Sequence, residues 1–396
     1  MATLPVKWYD WRFHGLPSLC GVPGSFTTIL DAVLVTGFGD TNVVTINVEN
    51  KKATFILQEG VIFFKKSVVK ITGFTNQALD GEYQVKNSDT GKIEITLDVP
   101  DGPLENTNTN IVVKYAPLGW YKPFSSVSRG IYKPTAADAL EWMFYMDDTT
   151  ATYARVRLIE NATSIDNHEG IRPYNNLLIW GKAHGPNTTK RPWSIIGDPY
   201  CFYYKTSSLA IADEIRDSYI EYGALLFVGE HVRLSNKPDP FAVSISGSNL
   251  VNVNGIPVTL YQYPGDIFIK TDLNNCHLFL RDTSGIKNDT DVNIFNRAFT
   301  NNSPWLDYNY NIFYTYDNVV HLFTDNFFYS KDRRVTKVPG LVTTSSYRLN
   351  NTFDFFIEAK DNGLNRDLIF MRSSYDYNSA TNPNRGYFFD ITGPWR

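Results

Sequence analysis

Residues 68–97 read VVKITGFTNQALDGEYQVKNSDTGKIEITL, and this stretch decides the fold class. It holds three apolar runs, Val68 to Ile71, Tyr83 to Val85 and Ile93 to Leu97, with polar residues interleaved as in Val69-Lys70-Ile71. A period of two puts successive side chains on opposite faces of a strand, so one face of each run is written for burial. Gly73, Asp80-Gly81 and Thr90-Gly91 stand between the runs, and such residues reverse a chain at little steric cost. The expectation is consecutive hairpins, with Gly73 and Gly81 in turns and Val69, Ile71, Tyr83 and Val85 packed inward.

The pattern continues on both sides. Val43, Val44 and Ile46 begin an earlier strand, Ala53 to Leu57 form another, and Ile111 to Tyr115 close the set after a long loop from Asp98 to Asn110. Short strands at this spacing suggest a small antiparallel barrel or sandwich over residues 41–115. Further strands are read at Trp142 to Met146 and Tyr153 to Ile159, then at Leu177 to Trp180, Trp193 to Ile196, Tyr200 to Tyr204 and Ala224 to Leu234. Residues 209–222 carry helical spacing, and Pro238 and Pro240 mark a boundary. Beyond it, Val258 to Tyr261, Ile267 to Ile269, His277 to Leu280, Ile312 to Tyr316 and Phe353 to Ile357 read as strands in an Asn- and Tyr-rich region.

The N-terminus is different. Trp8, Trp11 and Phe13 sit among Pro5, Pro17 and Pro23, which describes an arm that docks onto its own body or onto a neighbour. Ser25 then opens a short helix as its cap, Phe26, Ile29, Leu30, Val33 and Leu34 share one face, and Gly37 ends it. The fold class expected is mainly β, in several antiparallel sandwich or barrel modules with one short N-terminal helix. The domains expected are an arm and helix (1–40), a small β module (41–115), a principal β domain (116–237) and a Tyr/Asn-rich β domain (238–396).

Composition narrows the function. The 396 residues carry a formal net charge of -4, which lacks the basic excess of a nucleic-acid binder. Aromatic residues make up 15%, which suits strands, subunit contacts or sugar-stacking faces. Cys20, Cys201 and Cys276 are too dispersed for a disulfide framework or a metal site, and assembly in a reducing cytoplasm fits. The N-terminus has no uninterrupted apolar core, and no apolar run is long enough to span a bilayer. No nucleic acid, membrane, metal or cofactor partner is expected.

Catalytic motifs are weak. Ser244-Ile245-Ser246-Gly247-Ser248 lacks the glycine register of a nucleophile elbow, and Gly37-Phe38-Gly39 lacks the rest of a phosphate loop. Asp147 and Asp148 between two strands, with Glu160 beyond, could do acid/base work on a glycosidic bond, but adjacent Asp residues more often make a turn. Arg155 and Arg157 alternate with Ala154 and Val156, so both face one side of a strand and could pair with acids of a neighbour or stay solvated. Lys331, Asp332, Arg333 and Arg334 read as a solvated turn.

Several blocks resemble a largely uncharacterised family of tailed-bacteriophage virion proteins. The first is Leu16-Pro17-Ser18-Leu19 with Gly24-Ser25 and the run Leu30 to Gly39. The middle blocks are Ala116 to Trp120, Phe124, Asp147-Asp148, Tyr153 to Arg157, Trp180-Gly181-Lys182, Arg191-Pro192-Trp193, Gly197-Asp198 and Phe202-Tyr203. Val69 to Gly73 and Asp80 to Tyr83 resemble a small β module of phage structural proteins, with Asp80 where Asn is usual. The likeness covers roughly the first 235 residues, and after them only the ending Asp390 to Arg396 matches. The resemblance implies a non-enzymatic structural protein in many copies at the tail, neck or capsid surface, assembled in the host bacterial cytoplasm. Its partners would be other virion proteins and copies of itself, with Trp8, Trp11, Phe13, Phe26, Ile29, Leu30, Val33, Leu34, Arg155 and Arg157 as candidate interface residues. The alternatives are a receptor- or glycan-binding virion protein and a polysaccharide depolymerase.

Overall fold

The computed structural model describes residues 6–104, 110–170, 178–206, 225–232, 243–247, 277–280, 322–323, 327–330, 333–337, 339–344, 356–357, 364–372 and 386–396. The expected helix at 209–222 and the strands at 258–261, 267–269 and 312–316 lie outside these residues.

The chain enters through a short strand, β1 (Lys7–Asp10), and helix α1 (Ser25–Leu30) follows. The helix widens directly into a π-helical turn, Asp31–Thr36, where the Gly37 amide donates to the Ala32 carbonyl at 2.9 Å. Gly37 ends it at φ 73°, a conformation that only glycine adopts without strain. Phe26, Ile29, Leu30, Val33 and Leu34 are all buried in the protein's own core. Ser25 does not cap the helix. Gly24 holds the cap position at φ 84°, and the Ser25 hydroxyl donates to the Cys20 carbonyl instead.

The small module follows the sequence closely. Its strands are β2 (Phe38–Glu49), β3 (Lys52–Leu57), β4 (Val68–Thr72), β5 (Gly81–Gln84), β6 (Asn87–Asp89), β7 (Lys92–Thr96), β8 (Gly102–Pro103) and β9 (Val112–Tyr115). They pair antiparallel in the order β5-β4-β9-β2-β3-β7-β6, with β8 added on β2, and the sheet does not close into a barrel. Strand β2 pairs with β9 through its first half and with β3 through its second, and it carries an irregularity in each half. Such bulges bend a long strand so that it can serve two partners. Val69, Ile71, Tyr83 and Val85 all point inward. Gly73 turns the chain at φ +95°, whereas Gly81 opens β5 opposite Ile71 rather than sitting in a turn.

The next sheet is β10 (Trp120–Ser126), β11 (Arg129–Pro134), β12 (Met143–Asp147), β13 (Tyr153–Ile159) and β16 (Leu178–Gly181), a continuous antiparallel run in that order. A small hairpin, β14 (Asn161–Ala162) with β15 (His168–Glu169), stands between β13 and β16. Strands β17 (Trp193–Asp198), β18 (Cys201–Thr206), β19 (Leu225–Glu230), β20 (Val243–Gly247) and β21 (His277–Leu280) form a third sheet, and β1 is its edge, in the order β1-β17-β18-β19-β20-β21. This sheet draws strands from three of the four expected domains. Neither the end of the arm nor the boundary at Pro238 and Pro240 separates it. The last strands are β22 (Leu322–Phe323), β23 (Phe327–Ser330), β24 (Arg333–Lys337), β25 (Leu341–Thr344), β26 (Phe356–Ile357), β27 (Leu368–Arg372) and β28 (Gly386–Asp390). Five of them make the sheet β22-β25-β28-β27-β26, and β23 pairs with β24, so Arg333 and Arg334 stand on a strand rather than in a turn.

The arm acts as a clasp. While β1 pairs with β17, the Lys7 ammonium donates to Glu82 Oε1 at 2.8 Å, the Trp8 indole N–H to the Lys66 carbonyl at 3.3 Å, and the Tyr9 hydroxyl to the Ala116 carbonyl at 2.6 Å. Phe13 stacks on Phe64 and Tyr115 at 4.6 and 4.5 Å between ring centres. The small module thus offers an aromatic recess within reach of the same chain, and burying an aromatic side chain there is worth about 1.5–3 kcal/mol.

A second fastening lies at the other end. The Arg396 guanidinium bonds Asp198 at 3.1 Å and the carbonyls of Glu230 and His231, and it lies 4.3 Å from the centre of the Tyr200 ring. His231 is fully buried beside it. Burial, with the Arg396 charge adding to it, holds the imidazole down at about 3 from its ordinary 6.5. Below pH 6.5 the unfolded chain therefore takes up a proton that the folded chain refuses, and stability falls as the pH drops toward 3. At about 1.4 kcal/mol per unit, this group should remove about 2–3 kcal/mol between pH 7 and 4.5. Urea denaturation at both pH values should show a shallower loss for His231→Gln than for the native chain; equal losses would contradict the assignment.

Candidate functional site

Asp147 ends β12 and Asp148 follows it, and the two side chains go to opposite faces. Asp148 turns inward. Its Oδ2 accepts the Phe26 and Thr27 amides at 2.8 and 3.1 Å, and its Oδ1 meets the Lys182 ammonium. Both side chains of that pair are 0% exposed. The Lys182 ammonium also donates to the Val22 carbonyl at 2.8 Å. Burial pushes the Asp148 carboxyl up and the Lys182 ammonium down, and their mutual attraction opposes both shifts. Asp148 is thus the cap of α1, supplied from 122 and 121 positions away from the amides it holds, and a negative charge suits a helix N-terminus. Asp147 turns outward, accepts the Thr149 amide at 3.0 Å and lies 3.7 Å from Arg155. One carboxylate is sealed in the core and the other bonds its own turn, so the pair is not presented jointly to a substrate.

The outer face of the five-stranded sheet gathers the remaining candidates. Strand register sets out two rows across it. One runs Ser126, Arg129, Asp147, Arg155, Ile179, and the other runs Phe124, Ile131, Tyr145, Arg157. In the first row charges alternate, and cross-strand pairs of opposite sign stabilise a sheet by a few tenths to about 1 kcal/mol. Arg129 reaches Asp166 at 2.5 Å, and Arg155 lies over the Tyr153 ring. The second row is partly roofed. Ile131, Met143, Tyr145 and Ile159 make a small apolar cluster apart from the main core, and Phe124, Ala162 and Ile165 pack against it. The His168 ring lies 4.9 Å from the Tyr145 ring, and the Arg157 guanidinium sits 5.9 Å from the same ring.

Of the ten expected interface residues, Arg155 and Arg157 do share one partly exposed face. Trp8, Phe13, Phe26, Ile29, Leu30, Val33 and Leu34 do not stand at the surface; they are taken into the chain's own core, and Trp11 packs half-buried against it. Both destinations of the arm were open to the sequence, and the aromatic recess of the small module accounts for the inner one. Arg129, Tyr145, Asp166 and His168 complete the outer face. The alternation of Tyr145 and Asp147 around Met146 was a usable signal for Tyr145. Arg129 was missed because the stretch of β10 and β11, interrupted by Pro123, Ser125, Ser126 and Ser128, carries no clear strand alternation. Among the described residues there is no group of three or more His, Cys, Asp or Glu residues that could hold a metal. No helix there is long and apolar enough to cross a membrane, which leaves membrane crossing by strands unaddressed. No protein-family model matches this chain, and neither a curated protein nor a solved structure matches it.

Proposed function

We propose that this chain is a structural component of a tailed-bacteriophage virion, present in many copies and making assembly contacts at the tail, neck or capsid surface. One observation carries the reading: the sequence blocks that resemble that family lock onto one another in space. Asp148 of one block holds Lys182 of another and caps the helix of a third. Trp120 stands 5.5 Å from Phe202, and the Leu118 amide donates to the Val33 carbonyl at 2.8 Å. The blocks are the joints of one scaffold, and the outer face of the five-stranded sheet is the surface that scaffold presents to other proteins.

The test is mass spectrometry of gradient-purified particles of the phage encoding this chain, followed by cryo-electron microscopy. The chain is expected in the particles at a fixed stoichiometry, in symmetric copies. Its absence from particles that are otherwise complete would remove the proposal. A purified chain that binds a glycan array while missing from particles would favour a separate sugar-binding role.

A further inference from the structure

The arginines of the outer sheet face are not alike. Arg129 has Asp166 at 2.5 Å, and Arg155 has Asp147 at 3.7 Å. Arg157, on the same strand as Arg155 and with its side chain only partly exposed, has neither a carboxylate nor a hydrogen-bond acceptor among the described residues, and its Nε is buried without a partner. The ring of Tyr145 fixes the guanidinium from below. His168 stands against the same ring, with the Ile165 backbone as a hydrogen-bond partner. Burial disfavours the charged form of His168, and the nearby Arg157 charge adds to that. A guanidinium so held differs from its neighbours in one respect: no acid among the described residues completes it.

We propose that Arg157, with His168 beside it, receives a carboxylate from an acidic segment of a partner protein docked on this sheet face. A carboxylate is favoured because the planar fork of a guanidinium matches its two oxygens, a geometry that a lysine cannot reproduce. The position fits docking. Arg157 lies where the roofed apolar cluster meets the open charged row, so a segment crossing there touches apolar groups on one side and the paired charges on the other. The inference names the partner chemistry for the assembly surface proposed above and rests on that reading for the partner being a virion protein.

Binding of a fluorescein-labelled hexaglutamate peptide to the purified full chain tests it by fluorescence polarisation. The native chain should bind, more weakly as salt rises. Arg157→Gln should weaken binding at least tenfold, and Arg157→Lys should fall between the two. Lys51→Gln, which removes a paired lysine of the small module away from this face, should stay within about threefold of native. Thermal melts of each variant establish that it is folded, and Arg157→Lys serves if Arg157→Gln is not. No binding by the native chain, or equal binding by native and Arg157→Gln, overturns the proposal. Competition by inorganic phosphate as strong as by glutamate would overturn the carboxylate assignment. These outcomes are independent of the particle analysis, so a chain absent from virions could still show the subsite, and a chain present in them could lack it.

Discussion

Replacing Asp148 with alanine is expected to lower the unfolding free energy by about 3–5 kcal/mol, the usual cost of stranding one member of a buried ion pair. Three losses coincide in that one change. The Lys182 ammonium, 0% exposed, is left without its counter-charge. The amides of Phe26 and Thr27 lose their shared acceptor, and a lost cap alone costs about 0.5–2 kcal/mol. The start of α1 is also loosened from the turn between β12 and β13 that holds it. Because most of the cost comes from the orphaned lysine, adding Lys182→Met to Asp148→Ala should restore part of the stability despite removing a second polar group. Urea unfolding of the native chain, both single variants and the double variant measures this cycle. A loss below 1 kcal/mol in Asp148→Ala would show that water reaches the pair and that the cap is dispensable.

The second large effect concerns the arm. Phe13→Ala should cost about 3–5 kcal/mol, since it empties a site walled by Trp8, Phe64 and Tyr115 that nothing nearby can fill. Deleting residues 1–24 should do more. It removes β1 from the edge of its sheet, uncovers β17, and takes away the contacts that Lys7, Trp8 and Tyr9 make with the small module and the chain beyond it. The truncated chain is expected to be insoluble or to lose its cooperative melt, whereas a detachable attachment arm would leave a folded body. A truncated protein with the native melting temperature would restore the attachment reading for this segment.

The comparison of sequence with structure separates two kinds of information. In the small module every expected strand is present, because alternation and turn residues are local signals. β4 and β7 show this most plainly, with Ile71 and Ile95 facing in and Lys70 and Thr96 facing out. The helix was equally legible from its apolar stripe, but its cap was not, since no local pattern connects Ser25 to a carboxylate at position 148. Sheet membership across the expected boundaries is long-range information of the same kind. Prolines mark where a chain bends, not which sheet the next strand joins, and β20 continues a sheet that the prolines before it suggested had ended. At the candidate site the sequence put Arg155 and Arg157 on one face. It could not show that Arg155 was already answered by Asp147 while Arg157 was not, because that difference arises from cross-strand register and from the hairpin that carries His168.

The pairing of β1 with β17 also sets a timetable for synthesis. Asp10 lies opposite Ser194, so β1 finds its partner only after 184 further residues have been made. At elongation rates of about 5–20 residues per second, that interval is about 10–40 seconds. Until the small module is complete at Tyr115, Trp8, Tyr9 and Phe13 are exposed on a nascent chain, and after that the backbone of β1 still lacks its strand partner. Yield of this protein in a foreign host should therefore depend on translation speed and on chaperones that bind early segments, more than on the stability of the finished fold.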